Sequence, residues 1–170
     1  MDSLLPADVV ALAARVIAAN QALGRTVALA ESCTGGLVAA ALTEIAGSSA
    51  VVDRGYVTYS NASKIDMLGV PEDLIDTFGA VSVAVAWSMA QGALALSKAD
   101  IAVAITGIAG PDGGSEQKPV GTVVFAVARR GQATEDAESE MKLFAGNLGR
   151  AEVRRQAALV ALELLLPAAD

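Results

Sequence analysis

The run Ile101-Ala102-Val103-Ala104-Ile105 is apolar without interruption. That is the pattern of a central strand covered on both faces, not of a strand with one side in water. A second short apolar strand, Thr26–Ala30, runs directly into Ser32-Cys33-Thr34-Gly35-Gly36. An alanine- and leucine-rich helix then extends to about Ile45 and stops at Gly47. Buried strands alternating with helices require a sheet with helices on both sides.

The rest of the chain fits that frame. Val9, Leu12, Ala13, Val16 and Ile17 recur at helical spacing, which predicts an amphipathic helix over roughly 7–23. Val51–Tyr59 reads as a second strand, followed by short helices around Ser63–Leu68 and up to Phe78 and a long one over about Ser82–Ser97. Gly107 to Pro119 is a glycine-rich loop of the length that usually serves a function. Val120–Ala128 is the next strand. Beyond it Ala137, Ser139, Met141 and Leu143 alternate with Asp136, Glu138, Glu140 and Lys142, as in a half-exposed antiparallel edge strand with a charged outer face. The last helix covers about Arg150–Leu166 and stops at Pro167. The expected fold is a three-layer α/β/α sandwich with a mixed, mostly parallel sheet of about five strands. No linker or repeat divides residues 1–170, so one domain is expected.

Composition narrows the partners. Hydrophobic residues make up 54% and charged ones 18%, which excludes disorder and leaves apolar surface for a subunit interface. A net charge of −7 argues against nucleic acid as a partner. One cysteine permits no internal disulfide, and no apolar stretch is long enough for a bilayer. A soluble, cytoplasmic domain without a membrane partner is expected.

The chain has no histidine, so any nucleophile must be activated without imidazole. Ser32, at the carboxyl end of a strand, reads equally as a helix N-cap and as a nucleophile. A nucleophile needs a base. Tyr59 and Lys64 follow the second parallel strand, which ends on the same sheet edge. A lysine partly relieved of its charge by burial can take a serine proton, and a tyrosine can share it. Cys33 competes as nucleophile, or is a small buried residue. Backbone N–H groups near Thr34, Gly35 and Gly36 suit an oxyanion or a phosphate. The loop from Thr106 and Gly107 through Gly110 and Pro111 could approach a ligand closely. It matches neither a Walker A nor a dinucleotide pattern. Asp112 and Glu116 make a poor metal site. Arg150 and Arg154, four apart on one helix face, could grip one anion, or pair with surface acids as Arg155 does in the bland reading. Trp87 reads as packing or subunit contact.

Ala30-Glu31-Ser32-Cys33-Thr34-Gly35-Gly36, Tyr59-Ser60-Asn61 with Lys64, Gly79-Ala80-Val81-Ser82, Thr106-Gly107-Ile108-Ala109-Gly110-Pro111 and Lys118-Pro119-Val120-Gly121-Thr122-Val123 together resemble the CinA C-terminal domain family. The resemblance runs from the first helix to the last, in the stand-alone form without the additional N-terminal domain of full-length members. It implies hydrolysis of the carboxamide of nicotinamide mononucleotide to nicotinic acid mononucleotide and ammonia, in pyridine nucleotide recycling. It further implies a metal-free mechanism with no cofactor, a homo-oligomer, and Ser32, Lys64 and Tyr59 as catalytic residues. Asn61 joins Thr34, Gly35, Gly36, Thr106, Gly107, Gly110, Pro111, Arg150 and Arg154 as substrate-binding residues under the same resemblance. The chain departs from the family where members show Gly-Asp-Arg before the last helix: here the stretch is Gly146-Asn147-Leu148-Gly149-Arg150, with Gly149 in place of the Asp. A rival reading of the same residues is a non-catalytic pyridine-nucleotide-binding or interaction module. An amidase for another small amide is a third.

Overall fold

A computed structural model describes residues 3–136 and 138–167. Its sheet has five strands in the order β2-β1-β3-β4-β5, with β1 at Val27–Glu31, β2 at Val52–Val57, β3 at Ile101–Gly107, β4 at Thr122–Arg129 and β5 at Glu138–Leu143. β1 pairs in parallel with both β2 and β3, while β4 and β5 continue the sheet antiparallel. Six helices cover it: α1 at Ala7–Ala22, α2 at Leu37–Thr43, α3 at Asn61–Leu68, α4 at Glu72–Phe78, α5 at Val83–Ala95 and α6 at Arg150–Leu164. This is the expected three-layer α/β/α sandwich. Among the described residues no helix is long and apolar enough to cross a membrane.

The two faces of the sheet are built from different side chains. Val27, Leu29, Ile101, Val103, Ile105 and Phe125 point to one side and pack with α1, α2 and α6. Ala28, Ala30, Ala102, Ala104 and Ala126 point to the other and pack with α5. Period-two alternation of large and small residues therefore gives a thick layer on one face and a close one on the other. Gly92 marks how close: a Cβ there would lie 2.0 Å from the Leu68 carbonyl oxygen, so α5 meets the end of α3 backbone to backbone. The Asp100 carboxylate accepts both the N–H (2.8 Å) and the hydroxyl (3.1 Å) of Thr26, tying the starts of β1 and β3 together.

From β1 the chain crosses through α2 on one face to reach β2. It then returns through α3, α4 and α5 on the opposite face to β3, on the other side of β1. The carboxyl ends of β1 and β3 thus part company at a topological switch point, where open α/β sheets place their ligands.

Two expectations are corrected. Ser32 does not cap a helix: α2 begins at Leu37 with Gly36 as its N-cap, and residues 32–36 form a turn between strand and helix. On β5 the exposure pattern is inverted: Met141 and Leu143 are 51% and 66% exposed, while Glu140 and Lys142 are less exposed. β5 is the outermost strand of the sheet. Ala137 lies outside the described residues.

Candidate active site

A cleft of about 170 Å³ opens at the switch point. Ser32 and Cys33 form its floor after β1, Thr106 and Gly107 come from the end of β3, and Lys64 and Asn61 come from α3. Ala80, Val81 and Ala109 supply apolar wall, and Tyr59 and Arg150 stand at the rim.

Lys64 is buried, 1% exposed, which is rare for a lysine. Its Nζ lies 3.0 Å from Ser32 Oγ and 2.7 Å from the carbonyl oxygen of Thr58. Among the described residues it has no carboxylate partner. Burial lowers its pKa below the ordinary lysine value, with Cys33 opposing the shift. The amine reaches the serine because Ser60 caps α3 in a reciprocal capping box with Ser63, which fixes where the helix starts and puts Lys64 on its inner side.

The turn carrying Ser32 is held from behind. The Glu31 carboxylate, itself buried, accepts the N–H groups of Gly36 (3.0 Å), Val38 (3.2 Å) and Ala39 (2.9 Å). It stands in for the side-chain cap that Gly36 cannot supply. Gly35 donates its N–H to the Ser32 carbonyl at 3.0 Å. Gly35 and Gly36 both have positive φ, +59° and +92°, so glycine is needed for this sharp turn. The N–H groups of Gly35 and Gly36 are therefore occupied within the turn. Those of Cys33 and Thr34 make no hydrogen bond to another residue among the described ones. Among the described residues the buried Thr34 hydroxyl also has no partner.

Burial pushes the Cys33 thiol up to about 11, with the Glu31 carboxylate adding to the rise and Lys64 and Arg154 opposing it. At neutral pH it is a thiol, a poor nucleophile.

The two arginines do different work. Arg150 donates to the Gly110 carbonyl (2.8 Å) and to the Tyr59 hydroxyl (2.9 Å), joining α6, the Gly110–Pro111 loop and the cleft rim. Arg154 turns behind the floor and donates to the carbonyls of Cys33 (3.2 Å) and Thr34 (2.8 Å). They do not converge as a pair on one anion, because each reaches different backbone oxygens. Arg155 faces away and pairs with Glu152 and Asp8. Gly149 precedes α6 with no side-chain cap, and Arg150 reaches the cleft.

The structure thus brings Ser32, Lys64, Tyr59, Asn61, Thr106, Gly107 and Arg150 to one cleft. Thr34, Gly35, Gly36, Gly110, Pro111 and Arg154 do not line it. Gly110 still shapes the site through Arg150, and Arg154 through the floor. Tyr59 contacts Arg150 and makes no hydrogen bond to Ser32 or Lys64. The sequence reading missed Glu31 and the Ala80-Val81 wall. The signal for Glu31 was present: an acid just ahead of a helix that starts on glycine. Among the described residues no cluster of three metal-ligating side chains occurs.

Comparison with known proteins places this geometry. The model of the CinA C-terminal domain matches residues 9–169. The chain belongs to the CinA C-terminal domain family. It is 51% identical to nicotinamide-nucleotide amidohydrolase PncC of Escherichia coli (strain K12) over 93% of each chain. A CinA-like protein of Geotalea daltonii is 50% identical over 84% of this chain, which spans only 33% of that longer relative. Among solved structures, the competence/damage inducible protein CihA from Agrobacterium tumefaciens superposes with a TM-score of 0.92 at 52% identity, covering 96% of this chain and 97% of that one.

Proposed function

We propose that this chain is a nicotinamide-nucleotide amidase that hydrolyses the carboxamide of nicotinamide mononucleotide through an acyl-enzyme on Ser32. The observation that carries the reading is a buried lysine amine 3.0 Å from a serine hydroxyl at the switch point, with no carboxylate among the described residues to hold its charge. The 51% identity to a curated nicotinamide-nucleotide amidohydrolase supports the substrate class.

Neutral Lys64 accepts the Ser32 proton as Oγ attacks the carboxamide carbon. The developing oxyanion is received by the N–H group of Cys33, which lines the cleft and makes no hydrogen bond to another residue among the described ones. The lysine then passes its proton to the amide nitrogen, the C–N bond breaks, and ammonia leaves. Water, deprotonated by the same amine, cleaves the ester and restores Ser32. Tyr59, positioned by Arg150, serves as a rim contact for substrate in this scheme, and Lys64 is the base.

The cleft, at about 170 Å³, is smaller than a site that encloses a drug-sized ligand. It suits the pyridine carboxamide, leaving ribose and phosphate to run outward along the rim. There Arg150 keeps guanidinium donors beyond the two used for Gly110 and Tyr59. The exposed Met141 and Leu143 on edge strand β5 support self-association, and a homo-oligomer in the cytoplasm completes the reading. The whole chain then acts as one hydrolase unit.

The test is ammonia release from nicotinamide mononucleotide by the purified protein, with chelator present and nicotinamide riboside, nicotinamide and unrelated amides as comparison. Release from the nucleotide, abolished in Ser32→Ala, is expected. Tight binding of the nucleotide without turnover would favour the binding-module reading instead.

A further inference from the structure

We infer that the Thr106 hydroxyl is an acceptor-only group that selects a carboxamide by its N–H, and so discriminates amide from ester, ketone and acid; this rests on the amidase reading above. Thr106 lies at the end of β3, is 1% exposed, and lines the cleft with Ser32 and Lys64. Its Oγ1 lies 2.8 Å from the carbonyl oxygen of Ala80. A carbonyl can only accept, so the single hydroxyl proton of Thr106 is committed to Ala80. Among the described residues no other donor reaches the Ala80 carbonyl, so turning the hydroxyl around would strip that oxygen of its partner. What Thr106 offers a ligand is lone pairs alone.

A carboxamide has two ends that differ in this respect. Its oxygen accepts and its NH2 donates. Cys33, whose N–H makes no hydrogen bond to another residue among the described ones, and Thr106 line the cleft together with Ser32, so only one orientation pairs every group. The amide oxygen goes to the Cys33 N–H and the nitrogen goes to Thr106. As Ser32 Oγ bonds to the carbon and the proton from Lys64 reaches nitrogen, the N–H groups gain positive character. The contact to Thr106 then strengthens toward the transition state. When the C–N bond breaks and water replaces nitrogen, the product carboxylate has only acceptors to set against Thr106. The same lone pairs that receive the amide repel the acid.

The experiment compares kcat/KM for nicotinamide mononucleotide and for the methyl ester of nicotinic acid mononucleotide in wild type, Thr106→Val and Thr106→Ser. The valine variant should lose about 10- to 100-fold on the amide, the value of a hydrogen bond to a group gaining charge, and keep its ester rate. The serine variant should hold the wild-type amide-to-ester ratio. Parallel loss on both substrates in Thr106→Val, or no loss on the amide, would overturn the assignment. A measurement independent of that variant's folding uses 3-acetylpyridine mononucleotide, which carries methyl where the amide carries NH2. It should bind Ser32→Ala at least about tenfold more weakly than nicotinamide mononucleotide does, and equal affinity would overturn the inference. Wild-type protein that cleaves the ester and not the amide would instead overturn the amidase reading, and this one with it.

Discussion

Lys64 Nζ sits between Ser32 Oγ at 3.0 Å and the Thr58 carbonyl at 2.7 Å, buried and facing no carboxylate among the described residues. The environment favours the uncharged amine, the form that can remove a proton from serine. The same contact lets the protonated amine hand that proton on.

This relationship sets a pH dependence with a definite sign. Burial lowers the Lys64 pKa, so the working form gains population as pH rises through the lowered value. kcat/KM should climb with pH and level off at a lower pH than an ordinary lysine would set. Stability follows the same linkage. Between the lowered folded value and the unfolded one near 10.5, the unfolded chain binds a proton that the folded chain does not. Unfolding free energy therefore rises with pH across that window. Lys64→Met should be inactive yet at least as stable as wild type at neutral pH, with the gap closing toward the top of the window. Urea titrations at several pH values would check this. A Lys64→Met protein less stable than wild type at pH 7 would contradict it.

The nucleophile assignment separates Ser32 from its neighbour. Ser32→Ala should lower kcat by at least about a thousandfold, as loss of a covalent nucleophile does. Cys33→Ala should leave most activity, because a buried thiol held up to about 11 carries almost no thiolate at pH 7. Steady-state ammonia release by the two variants, with circular dichroism to confirm folding, decides between them.

Much of this site was legible before any coordinates. The apolar runs Thr26–Ala30 and Ile101–Ile105 identify buried strands, and the parallel pairing of the first with the strand before Tyr59 puts their ends together, so the meeting of Ser32 with Lys64 follows from topology. The role of Glu31 was legible only in part: an acid just ahead of a helix that starts on glycine signals a cap, but a strand residue gives no local sign of which way its side chain turns. The separation of Arg150 from Arg154 was hidden for a related reason. Spacing of four puts them on one face, but each side chain then follows whichever unpaired backbone carbonyl is nearest. On β5, alternation told which residues share a face and not which face is covered. Coverage depends on how far α5 and α6 extend over the sheet edge.

Glu31 makes its own prediction. Its carboxylate accepts three N–H groups at the start of α2, and Glu31→Gln keeps the shape while weakening those bonds. We expect a loss of about 1–3 kcal/mol in unfolding free energy, the usual scale for charge-assisted bonds to buried donors. Because the Ser32 turn is anchored there, kcat should fall further than KM rises. Paired denaturation and kinetic measurements test both parts. A variant that loses stability while keeping kcat would show that the turn does not depend on the cap.

Arg150 offers the sharpest separation of binding from chemistry. Its guanidinium reaches Gly110 and Tyr59 at the rim, 2.8 and 2.9 Å away, and does not touch Ser32 or Lys64. If the substrate phosphate lies along that rim, Arg150→Ala should raise KM for nicotinamide mononucleotide by about 10-fold or more with a smaller change in kcat. A charge-assisted contact to phosphate is worth that much. Nicotinamide riboside, which lacks the phosphate, should lose far less in the same variant. Tyr59→Phe removes the bridged hydroxyl and keeps the cation, so its effect should be similar on both substrates. Equal losses for nucleotide and riboside in Arg150→Ala would assign the arginine to holding Tyr59 and the Gly110 loop in place, and would move the phosphate contact elsewhere.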